Sequence, residues 1–179
     1  ASEGDVHLMQ GDIPSKIQME IKDIDKRAAR LGRTLRFGMR IQVVARETEV
    51  AALNALKEMM SKVDPRIVAA RKQGIDSSDS VEQSALVTKA IETDWLEPNI
   101  WGGMHAVKAG AGTILVGSYA QVADRFIEYI KVGLTHFLLS SYPMTSEAYR
   151  FGAHIMPLVK EKLGVENSYF SGNISTNSP

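Results

Sequence analysis

The chain contains no cysteine among its 179 residues, which excludes disulfides, thiolate metal sites and a cysteine nucleophile. It has no excess charge either, because 21 Lys and Arg residues balance 21 Asp and Glu residues, so neither nucleic acid nor an anionic membrane is favoured as a partner. No apolar run approaches the ~20 residues of a membrane span, and the N-terminal segment is acidic rather than signal-like. The four histidines show no metal-ligand spacing. We therefore expect a soluble, cytoplasmic protein without a metal site.

The clearest pattern present is a strand, a helix and a second strand in succession. Residues 113–117 form a short apolar run that ends in glycine, as expected of a strand buried on both faces. Ser118 and Gln121 then form the signature of a capping box, and Gly133 stands where a left-handed helix end is expected. A second apolar run follows at 135–140. Two buried strands joined by a helix predict a parallel pair with a right-handed crossover.

Similar units occur earlier in the chain. Strands are predicted at 5–10 and 35–45, and helices at 14–31 and from Thr48 to Val63. Residues 64–112 then form an insertion much longer than the usual loop, which is typical of lids or subunit contacts. Its two tryptophans are expected to anchor it against the core. The chain therefore reads as an α/β protein of four strand–helix pairs with a long insertion before the third strand.

A last helix and a tail complete the chain. Thr145 or Ser146 is predicted to cap the helix, and Pro157 is predicted to bend it. The stretch 165–179 is polar and rich in Ser and Asn, so it reads as a C-terminal tail that follows a single domain at 1–164.

The long second strand has a polar face. Alternation places Phe37 and Ile41 on one side and Arg40 and Gln42 on the other. Buried polar side chains require partners, so this face either contains an internal ion pair or water network, or lines a ligand cavity.

Three segments give the chain a recognisable resemblance. They are RTLRFGMRIQVVARET at 33–48, PNIWGG with VKAGAGTILVG within 98–117, and LSSYP with EAYRF within 139–151. They resemble the C-terminal part of flavin-dependent alkanesulfonate monooxygenases, within the bacterial luciferase-like family. The resemblance implies the C-terminal half of a TIM (β/α)8 barrel, with the four pairs as its fifth to eighth units. A half barrel has two open sheet edges, so we expect a missing N-terminal half of the barrel or a self-paired half barrel.

The resemblance also implies a chemistry. Similar enzymes take reduced FMN from a separate flavin reductase and use O2 to cleave an alkanesulfonate into an aldehyde and sulfite. Arg40 matches an arginine that faces flavin and substrate, and Tyr142 matches an active-site tyrosine. Gln10, Gln42 and Lys108 stand where those enzymes carry tryptophan, histidine and arginine, which leaves the sulfonate specificity open. Relatives are commonly homo-oligomers.

Two alternatives remain open from the sequence. One is a non-catalytic flavin-binding or structural relative, because Gln10 and Gln42 depart from the pattern and half of a barrel is missing. The other is an oxidoreductase that uses a deazaflavin in place of FMN.

Overall fold

The computed structural model describes residues 3–63, 95–107 and 112–165. Its strands are β1 (Val6–Gln10), β2 (Arg36–Arg46), β3 (Trp95–Glu97), β4 (Ile100–Trp101), β5 (Ile114–Ser118) and β6 (His136–Ser140). Its α-helices are α1 (Pro14–Ala29), α2 (Glu49–Ser61), α3 (Tyr119–Lys131), α4 (Met144–Arg150) and α5 (Met156–Lys162). A 3-10 turn occupies Gly103–Ala106, and a π-helical turn, Phe151–Ile155, joins α4 to α5. Within these ranges, no helix combines the length and apolar character needed to cross a bilayer.

The sheet is built around β2, which is the longest strand. β1, β5 and β6 all pair with it in parallel, while β4 pairs antiparallel with β5 and with β3. The parallel β/α units predicted from the sequence are therefore confirmed. The predicted insertion before β5 contains the β3–β4 hairpin, and most of the rest of it lies outside the described residues.

Backbone hydrogen bonds show which edge of β2 each neighbour occupies. Gly11 N donates to Arg40 O and Gln42 N donates to Thr113 O, whereas Thr135 N donates to Phe37 O. Alternate residues of a strand direct their backbone groups to opposite edges. Even-numbered β2 residues therefore bond to β1 and then to β5 along one edge, and odd-numbered residues bond to β6 along the other.

This pairing corrects the expected succession of four neighbouring strands. β5 and β6, although joined by α3, do not lie side by side, because β2 separates them. β1 and β5 lie on the same edge of β2: β1 pairs with its first residues, and β5 pairs with its last residues, from Gln42 to Arg46. Three strands, β1, β2 and β6, therefore lie side by side as in a barrel. β5 pairs only with the C-terminal end of β2, which we call its upper end, and the β3–β4 hairpin pairs with β5.

The odd-numbered face of β2 is covered by helices. Its side chains pack with apolar residues of α1 and α3 in the main core, together with Leu115 of β5 and Ile155. The odd β2 members are Phe37, Met39, Ile41, Val43 and Ala45. Removal of this apolar surface from water stabilises the layer by about 25 cal/mol per Å².

A second core forms on the even-numbered face, but only at the upper end of β2. There Val44 packs with Ala52 and Leu56 of α2 and with Trp101 of the hairpin. Trp101 therefore anchors the insertion to the core, as predicted, while Trp95 is 39% exposed. The lower part of the even-numbered face carries no helix from the described residues.

The predicted helix ends are largely confirmed. Ser118 accepts from Gln121 N, and Gln121 Oε1 accepts from Ser118 N, so α3 begins with the expected capping box. Gly133 follows its end with φ 113°. The last helix instead begins at Met144 after Pro143, with no side-chain cap. Its π-helical turn lies directly before the turn that holds Pro157, a residue that has no N–H to continue the regular pattern.

Candidate functional site

The uncovered part of the sheet carries most of the predicted site residues. We call it the open face: the even-numbered side chains of β1, of β6 and of β2 as far as Gln42, on the opposite side from α1 and α3. Directly paired residues of parallel strands point to the same face. The pairs are Val6 with Arg36, Leu8 with Gly38 and His136, Gln10 with Arg40 and Leu138, and Gln42 with Ser140.

Gly38 gives an independent check on this arrangement. A Cβ added to Gly38 would lie 3.0 Å from Leu8 Cδ1 and 3.1 Å from His136 Cβ. The side chains of Leu8 and His136 therefore flank Gly38 on one face, in the row next to the one that holds Arg40. Leu8 and Leu138 are each 51% exposed on this face.

Arg40 lies at the centre of the open face. It is half-buried, with Gln10 beside it on β1 and Leu138 beside it on β6. Among the described residues no carboxylate lies within 4.0 Å of its guanidinium, and no side-chain hydrogen bond occupies it. This geometry argues against the internal ion pair that the sequence left open. A guanidinium placed in this way has its paired donors available for an oxyanion.

Gln42 lies one pleat above Arg40. It is 1% exposed, enclosed between Ile114 of β5 and Ser140 of β6. A buried amide gives both a donor and an acceptor in a fixed place, but unlike histidine it does not exchange a proton near neutral pH.

The remaining predicted site residues are less closely placed. Tyr142 follows the end of β6 and is 46% exposed, and its peptide bond to Pro143 is cis. It therefore lies beyond the C-terminal end of a strand, the end at which barrel enzymes form their sites. Lys108 lies outside the described residues. The structure thus brings Gln10, Arg40 and Gln42 together and leaves Tyr142 at the rim.

Sequence reasoning missed an ion pair at the same end of the sheet. Glu147 is 6% exposed, and its carboxylate forms a bidentate ion pair with the Arg46 guanidinium: Oε1 lies 2.9 Å from Nη2 and Oε2 lies 3.1 Å from Nη1. The sequence indicated only a favourable helix-start position for Glu147. The contact connects the last residue of β2 to α4, and its two residues are 101 positions apart in the chain.

A second polar group surrounds Tyr119, the first residue of α3. Its hydroxyl donates to Glu47 Oε1 at 3.3 Å, and its ring stacks on His154 with centroids 4.6 Å apart. A hydrogen bond with Tyr119 raises the pKa of Arg150. A backbone hydrogen bond within the same residue lowers the pKa of Glu47, and Tyr119 adds to that effect. These contacts join the start of α3 to the segment before α2 and to the π-helical turn after α4.

The donors on the open face fit part of a flavin nucleotide. Such a cofactor carries a phosphate and, when reduced and ionised, a negative ring, so it requires cationic or amide donors next to apolar surface. Arg40 and Gln10 supply the donors, and Leu8 and Leu138 supply the apolar surface. The described residues contain no group of three or more His, Cys, Asp or Glu placed for a metal ion.

Comparison with known folds supports a barrel. The chain is similar to riboflavin lyase RcaE, solved with a modified FMN and riboflavin, at TM-score 0.70 and 19% identity. It is similar to long-chain alkane monooxygenase LadA, at TM-score 0.66 and 19% identity, and to DmoA from Hyphomicrobium sulfonivorans, at 0.71 and 18%. The alignments cover 94% of this chain and 41% of the lyase, and 96% of this chain and 40% of each of the others. The chain thus spans about two fifths of their length, which confirms the predicted fold class, a part of a (β/α)8 barrel.

A family model agrees with the fold. The model described as luciferase-like monooxygenase matches residues 1–136, about three quarters of the 179 in the chain. The particular closeness to alkanesulfonate enzymes stays a prediction. By its fold and by the share of its sequence that is matched, this chain belongs to the luciferase-like monooxygenase family.

Proposed function

We propose that this chain forms part of the cofactor and substrate site of a flavin-dependent monooxygenase that oxidises a small organic molecule with O2. The observation that carries the proposal is Arg40, a half-buried guanidinium on the open face with no carboxylate within 4.0 Å among the described residues. Taking a guanidinium partly out of water is costly without a counter-charge, so an anionic ligand is the partner that best accounts for it.

Each residue of the open face has a separate task in this proposal. Arg40 binds an anionic group through paired N–H donors, and Gln10 adds an amide beside it. Gln42 orients a polar group by hydrogen bonding without exchanging its proton. Tyr142, at the rim, donates its O–H to an oxygen of cofactor or substrate. The flavin, when bound, supplies the electrons that activate O2.

The finer assignment follows the resemblance. We infer reduced FMN, delivered by a separate flavin reductase, and an alkanesulfonate that is split into an aldehyde and sulfite. A sulfonate presents three oxygens to a guanidinium, which agrees with Arg40, and its alkyl chain agrees with the exposed apolar side chains of Leu8 and Leu138 on the same face. Gln42 in place of a histidine favours the alternative, a relative that binds flavin without turnover.

One experiment separates these functions. The protein is titrated anaerobically with reduced FMN and, in parallel, with a reduced deazaflavin, and then mixed with O2 and a panel of alkanesulfonates while sulfite and aldehyde are measured. Saturable FMN binding with equal release of both products supports the proposal. Binding without product supports the non-catalytic alternative, and no binding of either cofactor contradicts a flavin site.

A further inference from the structure

The last residue of β6, Ser140, places a hydroxyl at the upper end of the open face. It pairs directly with Gln42 of β2, so the two side chains lie side by side in one row. This row is the last of the open face, because the next β2 residue on that side, Val44, is covered by α2 and by Trp101. Ser140 therefore lies at the C-terminal end of the parallel strands, where barrel enzymes form their sites.

The hydroxyl of Ser140 is buried and has no hydrogen-bond partner among the described residues. Buried hydroxyls are nearly always bonded, because the hydrogen bonds that they lose to water are otherwise not replaced. A serine hydroxyl donates one hydrogen bond, and it rotates to meet its acceptor. A ligand that enters the open face is an acceptor that this position can reach.

The charges on the open face indicate what kind of ligand this is. The row of Arg40 also contains Gln10 and Leu138, and the row above it contains Gln42 and Ser140. These two rows carry one positive charge and no negative charge. Among the described residues, no carboxylate lies within 4.0 Å of the Arg40 guanidinium. A group bound across the two rows is therefore expected to be an anion.

The number of oxygens on the anion decides whether Ser140 takes part in binding. The two rows are two residues apart along the strands, about 6.6 Å at ~3.3 Å per residue, which is roughly two hydrogen-bond lengths. A carboxylate has two oxygens, and a guanidinium binds both of them as a fork. A sulfonate or a phosphate is tetrahedral and keeps a further oxygen outside that fork. This oxygen can accept a hydrogen bond from the next row.

We propose that Ser140 makes the open face selective for a tetrahedral oxyanion, a sulfonate or a phosphate, over a carboxylate. Two oxygens of the ligand bind Arg40, and the Ser140 hydroxyl donates to a third. Ser140 as a whole residue is partly exposed, so rotation about χ1 gives its hydroxyl access to the ligand. The inference rests on the proposed function for the anion at Arg40, and it adds the class of anion and the residue that selects it.

The test uses pairs of ligands that differ in the anionic group. Octanesulfonate and nonanoate carry the same alkyl chain, and reduced FMN differs from reduced riboflavin by its phosphate. Each of these four probes is titrated anaerobically into the 179-residue chain and into its Ser140→Ala variant. Loss of affinity for octanesulfonate assigns the oxyanion to the substrate, whereas loss for FMN alone assigns it to the flavin phosphate.

Ser140→Ala should weaken binding of octanesulfonate, of reduced FMN or of both by about tenfold or more, as expected for a hydrogen bond to a charged group. Binding of nonanoate and riboflavin should change by less than about twofold, because neither has an oxygen for this hydroxyl. Ser140→Cys keeps a side chain of similar size but is only a weak donor, so it should behave as the alanine variant does.

Ser141→Ala is the matched control. The hydroxyl of Ser141 is also buried without a partner among the described residues, but Ser141 lines a groove on the helix side of the sheet with Leu139 and Phe151. Ser140 borders the same groove, yet its pairing with Gln42 directs its side chain to the open face. Ser141→Ala should leave the affinities for all four probes unchanged.

Thermal unfolding separates a binding role of Ser140 from a structural one. The alanine variant removes a hydroxyl that has no partner, so its Tm should stay the same or rise. A lower Tm with unchanged affinities overturns the proposal. Equal weakening of the tetrahedral and the planar or neutral probes also overturns it, as does parent-like binding by the Ser140→Cys variant.

Failure of this inference and failure of the proposed function give different results. If Arg40→Ala weakens binding of the anions but Ser140→Ala changes no affinity, the anion site stands and the role of Ser140 is wrong. If Arg40→Ala leaves every affinity unchanged, or if none of the four probes binds to the parent chain, both are wrong.

Discussion

Arg40 differs from Arg46 and Arg125, two other arginines packed against the sheet, because it has no counter-ion among the described residues. Arg46 has Glu147, and Arg125 has Glu97 and Glu128. A guanidinium without such a partner is held in place by the fold and not by an ion pair, so its loss should affect a ligand more than stability.

We expect Arg40→Ala to weaken binding of reduced FMN or of a sulfonate by about 10- to 100-fold, as charged hydrogen bonds contribute about 1.5–3 kcal/mol each. Isothermal titration measures the affinity, and thermal unfolding is expected to change little. Arg36→Ala is the matched control, since Arg36 lies on the same strand and face about 13 Å below, at ~3.3 Å per residue. Unchanged affinity with a large loss of stability would show that Arg40 is a structural residue.

Tyr129 provides a prediction on pH. Its side chain is fully buried and its hydroxyl donates to Asp12 O at 2.7 Å. Burial raises the pKa of Tyr129 far above its usual value of 10.0. The unfolded chain therefore releases this proton first, so the free energy of unfolding is unaffected by it below about pH 10 and falls as pH rises beyond that.

Tyr129→Phe should lower the free energy of unfolding by about 1 kcal/mol at pH 7, because Asp12 O loses its donor. The decrease in stability above pH 10 should become shallower than in the parent chain. Urea unfolding from pH 7 to 11 measures both effects. Tyr149→Phe is the control, since Tyr149 is 78% exposed, and an equal change in slope there would contradict the assignment.

At the scale of elements, the insertion is attached to the sheet through Trp101. Its indole is 6% exposed and lies in the second core, over Gly103. A Cβ at Gly103 would overlap the ring, so this glycine makes room for Trp101. From the sequence alone, Gly103 is explained by a tight turn in a Gly-rich segment. The structure adds a second explanation, because the packed Trp101 ring leaves no room for a Cβ at this position.

We expect Gly103→Ala to destabilise the chain by about 1–3 kcal/mol, because the ring must move within a packed core. Gly152→Ala is the contrasting substitution, as nothing lies within 4 Å of its added Cβ and its backbone is helical. It should be neutral or stabilising by up to about 1 kcal/mol. Thermal unfolding with tryptophan fluorescence follows both, and a harmless Gly103→Ala would contradict the observed packing.

At the scale of the whole molecule, Arg46 and Glu147 connect the upper end of the sheet to the helix after the last strand. Their contact is bidentate, and the carboxylate is almost fully buried. It joins the C-terminal end of β2 to α4, which begins two residues after the rim residue Tyr142.

A double-mutant cycle tests this connection. Glu147→Gln and Arg46→Met should each destabilise the chain, and the pair together should cost less than the sum, with a coupling energy of about 1–3 kcal/mol. Lys62 and Glu58, an exposed pair on α2, are the control and should couple by no more than about 0.5 kcal/mol. Additive effects at Arg46 and Glu147 would contradict a shared contact.

Several features were available from the sequence because they depend on neighbours in the chain. The capping box at Ser118, the glycine after α3 and the alternation along β2 each involve a few consecutive residues. The same alternation predicted that Arg40 and Gln42 share a face. Resemblance of three segments then supplied the family, which the match over residues 1–136 confirms.

Other features depend on which strands meet, and this the sequence does not specify. β5 and β6 are both short apolar runs, so their local patterns do not tell which of them lies beside β1 and which on the opposite edge of β2. The placement of Gln10 beside Arg40 follows from the register of β1 on β2, and the ion pair of Glu147 joins residues 101 positions apart.

The sequence by itself determined the four main strands and the helices that follow them, since backbone preference and side-chain periodicity act over a few residues, and the resemblance of its segments indicated the family. The β3–β4 hairpin within the insertion was not predicted. Only the tertiary structure decided that three strands form a continuous row and that, among the described residues, Arg40 has no ion-pair partner and neither outer edge of the row pairs with a strand. These properties arise from hydrogen bonds and packing between segments far apart in the chain, and they become visible only when those segments are brought together.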